Sequence, residues 1–118
     1  MTKPAVLITG ASTGIGATYA DRFARRGHDL VLVARDATRL QALASQLKDQ
    51  TGVNVDILPA DLTRPDQLAV VEARLRDADH IGVLVNNAGI GLAGGFADQA
   101  TDAIDRLIAL LVANEPAD

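Results

Sequence analysis

The chain has 118 residues, 48% hydrophobic and 22% charged, with a net charge of -4, aromatics at 3% and no cysteine. A domain of this length buries roughly two-thirds of its surface, and here the core must come from Val, Ile, Leu and Ala. The composition excludes disulfides and thiolate metal sites. The acidic balance argues against nucleic acid as a partner, and no apolar run approaches the ~18–20 residues of a membrane span.

The opening "MTKPAVLITG" lacks the apolar core of a signal peptide, so a cytoplasmic single domain over residues 1–118 is expected. It runs into a first strand, Ala5–Thr9, followed by a glycine-rich turn and a helix whose Tyr19, Ala20, Phe23 and Ala24 share a face before Gly27 ends it. A second strand is expected over Leu30–Ala34. Asp36 then caps a helix carrying Leu40, Leu43, Ala44 and Leu47, which closes near Gly52. The third strand is expected over Val53–Leu58, and Thr63 and Pro65 open a helix with Leu68, Val71 and Leu75. A fourth strand over Ile81–Asn86 precedes a helix from about Thr101 through Leu111. The strands read as continuous apolar runs, the pattern of strands covered on both faces. Strict alternation of strand and helix forces a parallel sheet. Right-handed crossovers give an α/β, Rossmann-type, doubly wound sheet in the order 3-2-1-4, with its switch point between strands 1 and 4.

The turn after strand 1 has two readings. Gly10-Ala11-Ser12-Thr13-Gly14 fits G-x-S-x-G, the elbow that presents a nucleophilic serine. An elbow serine needs a histidine base on a loop after a later strand. The two histidines, His28 and His80, instead precede strands 2 and 4, at the edge opposite Ser12. The other reading is a phosphate cradle. Gly10 lets the chain turn sharply, Gly14 lets backbone approach a pyrophosphate, and Gly16 lets the helix pack closely on the sheet. The helix N-terminus then faces the anion, with Ser12 and Thr13 as hydrogen-bond donors. A βα turn with no ligand would not need three spaced glycines.

Thr9-Gly10-Ala-Ser-Thr-Gly14-Ile15-Gly16 resembles the cofactor motif of the short-chain dehydrogenase/reductase family. Asn86-Asn87-Ala88-Gly89 is similar to that family's second signature, and Ala60-Asp61-Leu62 to its adenine-binding turn. The resemblance runs from Val6 to about Leu110 and implies a dinucleotide cofactor. It casts Asp61 as acceptor of the adenine amino group, Leu62 as a backbone support for the ring, and Asn86–Gly89 as the turn beside the ribose. An NAD site carries an acid roughly 20 residues past the glycines; that position is Ala34, and Arg35 follows. A guanidinium there suits a ribose 2′-phosphate, so NADP is expected over NAD. Asp36 is explained as the helix cap.

The family's chemistry resembles general acid catalysis by a tyrosine with a nearby lysine and a serine. No catalytic residue of that kind is found. The single tyrosine is Tyr19, one turn before Phe23; the lysines are Lys3 and Lys48, and the serines Ser12 and Ser45. The family's asparagine of the proton relay falls at Leu111, with Asn114 too late in the chain. The chain therefore reads as cut short and inactive by itself. The leading expectation is the cofactor half of an NADP-dependent reductase. A nucleotide-binding module without chemistry and a self-associating piece are the alternatives, and a serine hydrolase is the remote one. A homo-oligomer is expected, because strand 4 would be a bare sheet edge beside an apolar last helix.

Overall fold

The computed structural model describes residues 3–12, 14–77 and 81–86. Within them the elements are β1 (Ala5–Thr9), α1 (Gly14–Arg25), β2 (Leu30–Ala34), α2 (Ala37–Thr51), β3 (Val55–Pro59), α3 (Pro65–Asp77) and β4 (Ile81–Asn86). The helix expected over Thr101–Leu111 lies outside the described residues.

All strand pairs are parallel, in the order β3-β2-β1-β4, as the alternation of strand and helix requires. Side chains alternate across the sheet and build a core on each face. Val6, Ile8, Leu30 and Leu32 pack with Ala20 and Ala24 of α1 and Leu40, Ala44 and Leu47 of α2. Leu7, Val31 and Val33 pack on the other face with Leu68, Val71 and Leu75 of α3. β1 and β2 are buried along their whole length, which accounts for their unbroken apolar sequence.

Three expectations change. β3 begins at Val55 and ends at Pro59, rather than running over Val53–Leu58. Gly52 closes α2 in the left-handed region at φ 77°, and the next two amides are held outside the sheet. The Val53 amide donates to Thr51 Oγ1 at 3.4 Å and the Asn54 amide to Asp29 Oδ1 at 3.0 Å. Among the described residues β3 is also an edge strand with half-covered positions, so coverage on both faces holds there for β1 and β2 only. In α1 the buried residues are Gly16, Ala20 and Ala24, whereas Tyr19 is 44% exposed. Small residues let this helix lie close to the sheet, and the aromatic ring moves to its flank.

β4 carries one irregularity. Ala5 pairs with Ile81 and Val6 with Val83, so Gly82 is the extra residue of a bulge. A Cβ built at Gly82 would lie 2.8 Å from Pro4 Cβ, inside contact distance. Gly82→Ala should therefore cost about 1–3 kcal/mol through overpacking. Urea unfolding of the two proteins checks this, and an unchanged midpoint would mean that Pro4 yields freely.

Candidate functional site

The register puts the carboxyl ends of the strands along a single edge. Thr9 of β1 stands beside Val33 of β2 and Asn86 of β4, and Ala34 stands beside Pro59 of β3. Two backbone bonds secure the loops that follow. The Ala11 amide donates to the Val33 carbonyl at 3.2 Å, and the Ala60 amide to the Ala34 carbonyl at 2.9 Å. The glycine turn, Arg35 and Asp61 thus leave the sheet from neighbouring strands on the same side. Between β1 and β4 the chain changes from crossing one face of the sheet to crossing the other, the place where open α/β sheets hold ligands.

Gly10 and Gly14 both adopt positive φ, 63° and 56°, which side-chain-bearing residues rarely do. Ala11 between them is fully buried and Ser12 half-buried. The Thr18 hydroxyl donates back to the Gly14 carbonyl at 3.2 Å. A Cβ at Gly14 would meet nothing within 4 Å, so the approach to the start of α1 is open. The first turn of α1 contains no acidic side chain, and nothing of its own offsets the positive end of the helix. Ile15 projects at 59% exposure and Gly16 packs inward. Such an open helix start is suited to an anion.

The β2–β3 corner supplies the charges. Arg35 is exposed, directly after the buried Ala34. Asp61 Oδ1 accepts from the Thr63 hydroxyl at 2.6 Å and from the Thr63 amide at 3.0 Å, while the Asp61 amide donates to Gln67 Oε1 at 2.6 Å. The Thr63 hydroxyl, above all, holds the Asp61 carboxyl below the usual carboxylate range. Partial burial opposes that shift, and the Thr63 amide and the charges of Arg35 and Arg64 reinforce it. Asp61 is therefore anionic across the physiological range and oriented through one oxygen. Leu62 beside it is buried in the α3-side core, which anchors the loop.

Thr63 was legible in the sequence only as a helix opener. The Asp-x-Thr spacing of Asp61 and Thr63 is itself the signature of a side-chain-closed turn and points to the clamp. Thr63→Val should cost about 1 kcal/mol at neutral pH by removing one hydrogen bond to a charged group. The sign with pH follows from the lowered pKa. The stabilisation is complete above the ordinary value of 3.8 and is lost as pH falls through the lowered one. The gap between wild type and variant should therefore narrow in acid. Unfolding at pH 7 and near pH 3 measures it, and a gap that widens in acid would contradict the clamp.

Of the residues singled out from sequence, Gly10, Ser12, Gly14, Ile15, Gly16, Arg35, Asp61 and Leu62 gather at this edge, as does the backbone of Asn86. Thr13, Asn87, Ala88 and Gly89 lie outside the described residues, as does His80. His28 Nδ1 lies 2.8 Å from the Pro4 carbonyl, at the amino edge of the sheet and away from Ser12. Among the described residues no group of His, Cys, Asp and Glu could hold a metal ion. No helix there is long and apolar enough to cross a membrane.

A family model described as short chain dehydrogenase matches residues 4–113. The chain belongs to the short-chain dehydrogenase family. It is 49% identical to the bulky-bulky ketone specific alcohol dehydrogenase from Comamonas testosteroni, with a TM-score of 0.88 over 96% of this chain and 50% of that one. A short-chain dehydrogenase from Sphingobium yanoikuyae, solved in complex with NADPH, is 58% identical, with a TM-score of 0.83 over 92% of this chain and 46% of that one. Among curated short-chain dehydrogenase relatives, the 17-beta-hydroxysteroid dehydrogenase type 3 of Rattus norvegicus is 40% identical over 84 residues, 71% of this chain and 27% of that protein. The chain thus spans about half of those solved structures and about a quarter of that curated relative.

Proposed function

We propose that these residues form the dinucleotide-holding half of an NADP-dependent short-chain dehydrogenase/reductase. The observation that carries this reading is Arg35, exposed where β2 meets the edge shared with the glycine turn, while the preceding position holds Ala34 rather than an acid. A guanidinium suits a 2′-phosphate by charge and by its planar donor fork. Gly10, Ser12, Thr13, Gly14, Ile15 and Gly16 hold the pyrophosphate at the start of α1. The Asp61 carboxylate takes the adenine amino group beside Leu62, and Asn86, Asn87, Ala88 and Gly89 border the ribose.

The bound nicotinamide supplies hydride exchange with a carbonyl or alcohol. The chain's own residues bind and orient the dinucleotide. Tyr19, on α1 and followed one turn later by Phe23, is not placed to serve as the proton donor. The Sphingobium relative's complex with NADPH supports the choice of cofactor.

Adenosine 2′,5′-bisphosphate and 5′-AMP test the reading at the adenine end alone. The bisphosphate should raise the melting temperature at concentrations where 5′-AMP has little effect. Equal shifts would remove the 2′-phosphate from the reading.

Among the described residues β4 is a terminal strand, with Val83, Leu84 and Val85 only partly covered. We propose self-association through that edge, because no strand among the described residues pairs with its outer side. Light scattering over a dilution series should show species larger than a monomer, reduced by Val83→Lys. A single monomeric species at high micromolar concentration would refute it.

A further inference from the structure

Arg35 has an acidic neighbour that ought to work against it. Asp36 follows it directly at the same corner, and a dianionic 2′-phosphate beside a free carboxylate is repelled. The structure shows where that carboxylate goes. Asp36 Oδ1 accepts from the Arg39 amide at 3.0 Å, and Asp36 Oδ2 lies 3.5 Å from Arg39 Nε. The Asp36 carbonyl accepts from the Leu40 amide at 3.0 Å. Both carboxylate oxygens are thus turned onto α2, and both face the same residue. The corner as a whole sets Arg35, Arg39 and Arg64 against Asp36 and Asp61, leaving an excess of positive charge where the 2′-phosphate is read. Removing Arg39 would cancel that excess and leave the Asp36 charge answered only by the helix end.

We propose that Arg39 is a positioning residue for cofactor discrimination: it holds and neutralises Asp36, so that the acid next to Arg35 does not repel the 2′-phosphate. The inference rests on the reading of Arg35 given above. It makes the choice of NADP over NAD a property of a charge set rather than of a single arginine. Exposed ion pairs contribute little to folding, so Arg39 should matter more for selectivity than for stability. Asp36→Asn separates the two roles of the acid, because asparagine caps a helix about as well as aspartate but carries no charge.

The test is a cycle of wild type, Arg39→Gln, Asp36→Asn and the double variant, each titrated with NADPH and NADH by calorimetry at low ionic strength. Arg39→Gln should lower the NADPH-over-NADH preference about threefold, and Asp36→Asn should raise it about fivefold, the scale expected for partly screened charges a few ångströms apart. The double variant should return to about the wild-type ratio, because both charges of the pair are then gone. A double variant as low as Arg39→Gln alone would mean that Arg39 acts on the phosphate itself and not through Asp36, and would overturn the proposal, as would an unchanged ratio in Arg39→Gln alone. Arg35→Ala, run alongside, distinguishes the layers. If it leaves the preference intact the reading of Arg35 fails, whereas failure of the cycle with Arg35 behaving as expected rejects only the role of Arg39.

Discussion

Gly14→Ala should leave the fold standing and abolish most dinucleotide binding. The backbone there sits at φ 56°, so a side chain costs about 1–2 kcal/mol of left-handed strain. The added Cβ would meet no protein atom within 4 Å, so no packing penalty is added. In the proposed reading it would meet the pyrophosphate, which approaches the backbone closely at such a turn. A loss of about a hundredfold or more in affinity for NADPH and NADH alike is expected, about 2.7 kcal/mol. Gly52 provides the control. It also has positive φ, 77°, and open space around a notional Cβ, but it closes α2 after its last turn, away from the site edge. Gly52→Ala should lose a similar amount of stability and keep full affinity. Chemical unfolding with parallel calorimetric titrations measures both, and equal binding by the two variants would displace the pyrophosphate from the turn.

Arg35→Ala should act on one cofactor only. A charge-assisted contact to the 2′-phosphate contributes on the order of 1.5–3 kcal/mol, so NADPH should bind roughly 10–150-fold more weakly. NADH, which lacks that phosphate, should bind nearly as before. Little change in stability is expected, because the side chain is exposed. If both cofactors weakened equally, Arg35 would support the adenine face instead of reading the phosphate.

Much of this could be read before any coordinates. The uninterrupted runs of β1 and β2 correspond to strands buried end to end, and alternation with helices dictated a parallel sheet. Helix limits were legible where they have a chemical marker: Asp36 caps α2 and Gly52 ends it. The start of β3 was misjudged because Val53 and Asn54 look like strand residues. Their amides are instead held by Thr51 and Asp29, contacts that hydropathy cannot register. Pro59 was left out of β3, although an edge strand tolerates a residue without an N–H. Tyr19 was grouped on one face with Ala20, Phe23 and Ala24, because a helical wheel sorts by polarity and ignores size. Gly16, Ala20 and Ala24 bring α1 too near the sheet for a ring to fit beneath it.

At the site edge, the residues marked by backbone freedom or by charge could be picked out from the sequence: Gly10, Gly14, Arg35 and Asp61. The clamp on Asp61 and the engagement of Asp36 by Arg39 were not. Both depend on the direction of side-chain atoms, which spacing constrains only loosely. They are also the features that turn a plausible set of charges into an oriented one.

Calorimetric titration of the wild-type chain with NADPH and NADH at the same ionic strength is the most direct check on the central assignment of this sheet edge to NADP(H). Saturable binding of NADPH, at least about tenfold tighter than NADH, is the predicted result, matching the lower end of one charge-assisted contact. NADH binding as tightly as NADPH, or neither binding saturably, would contradict it.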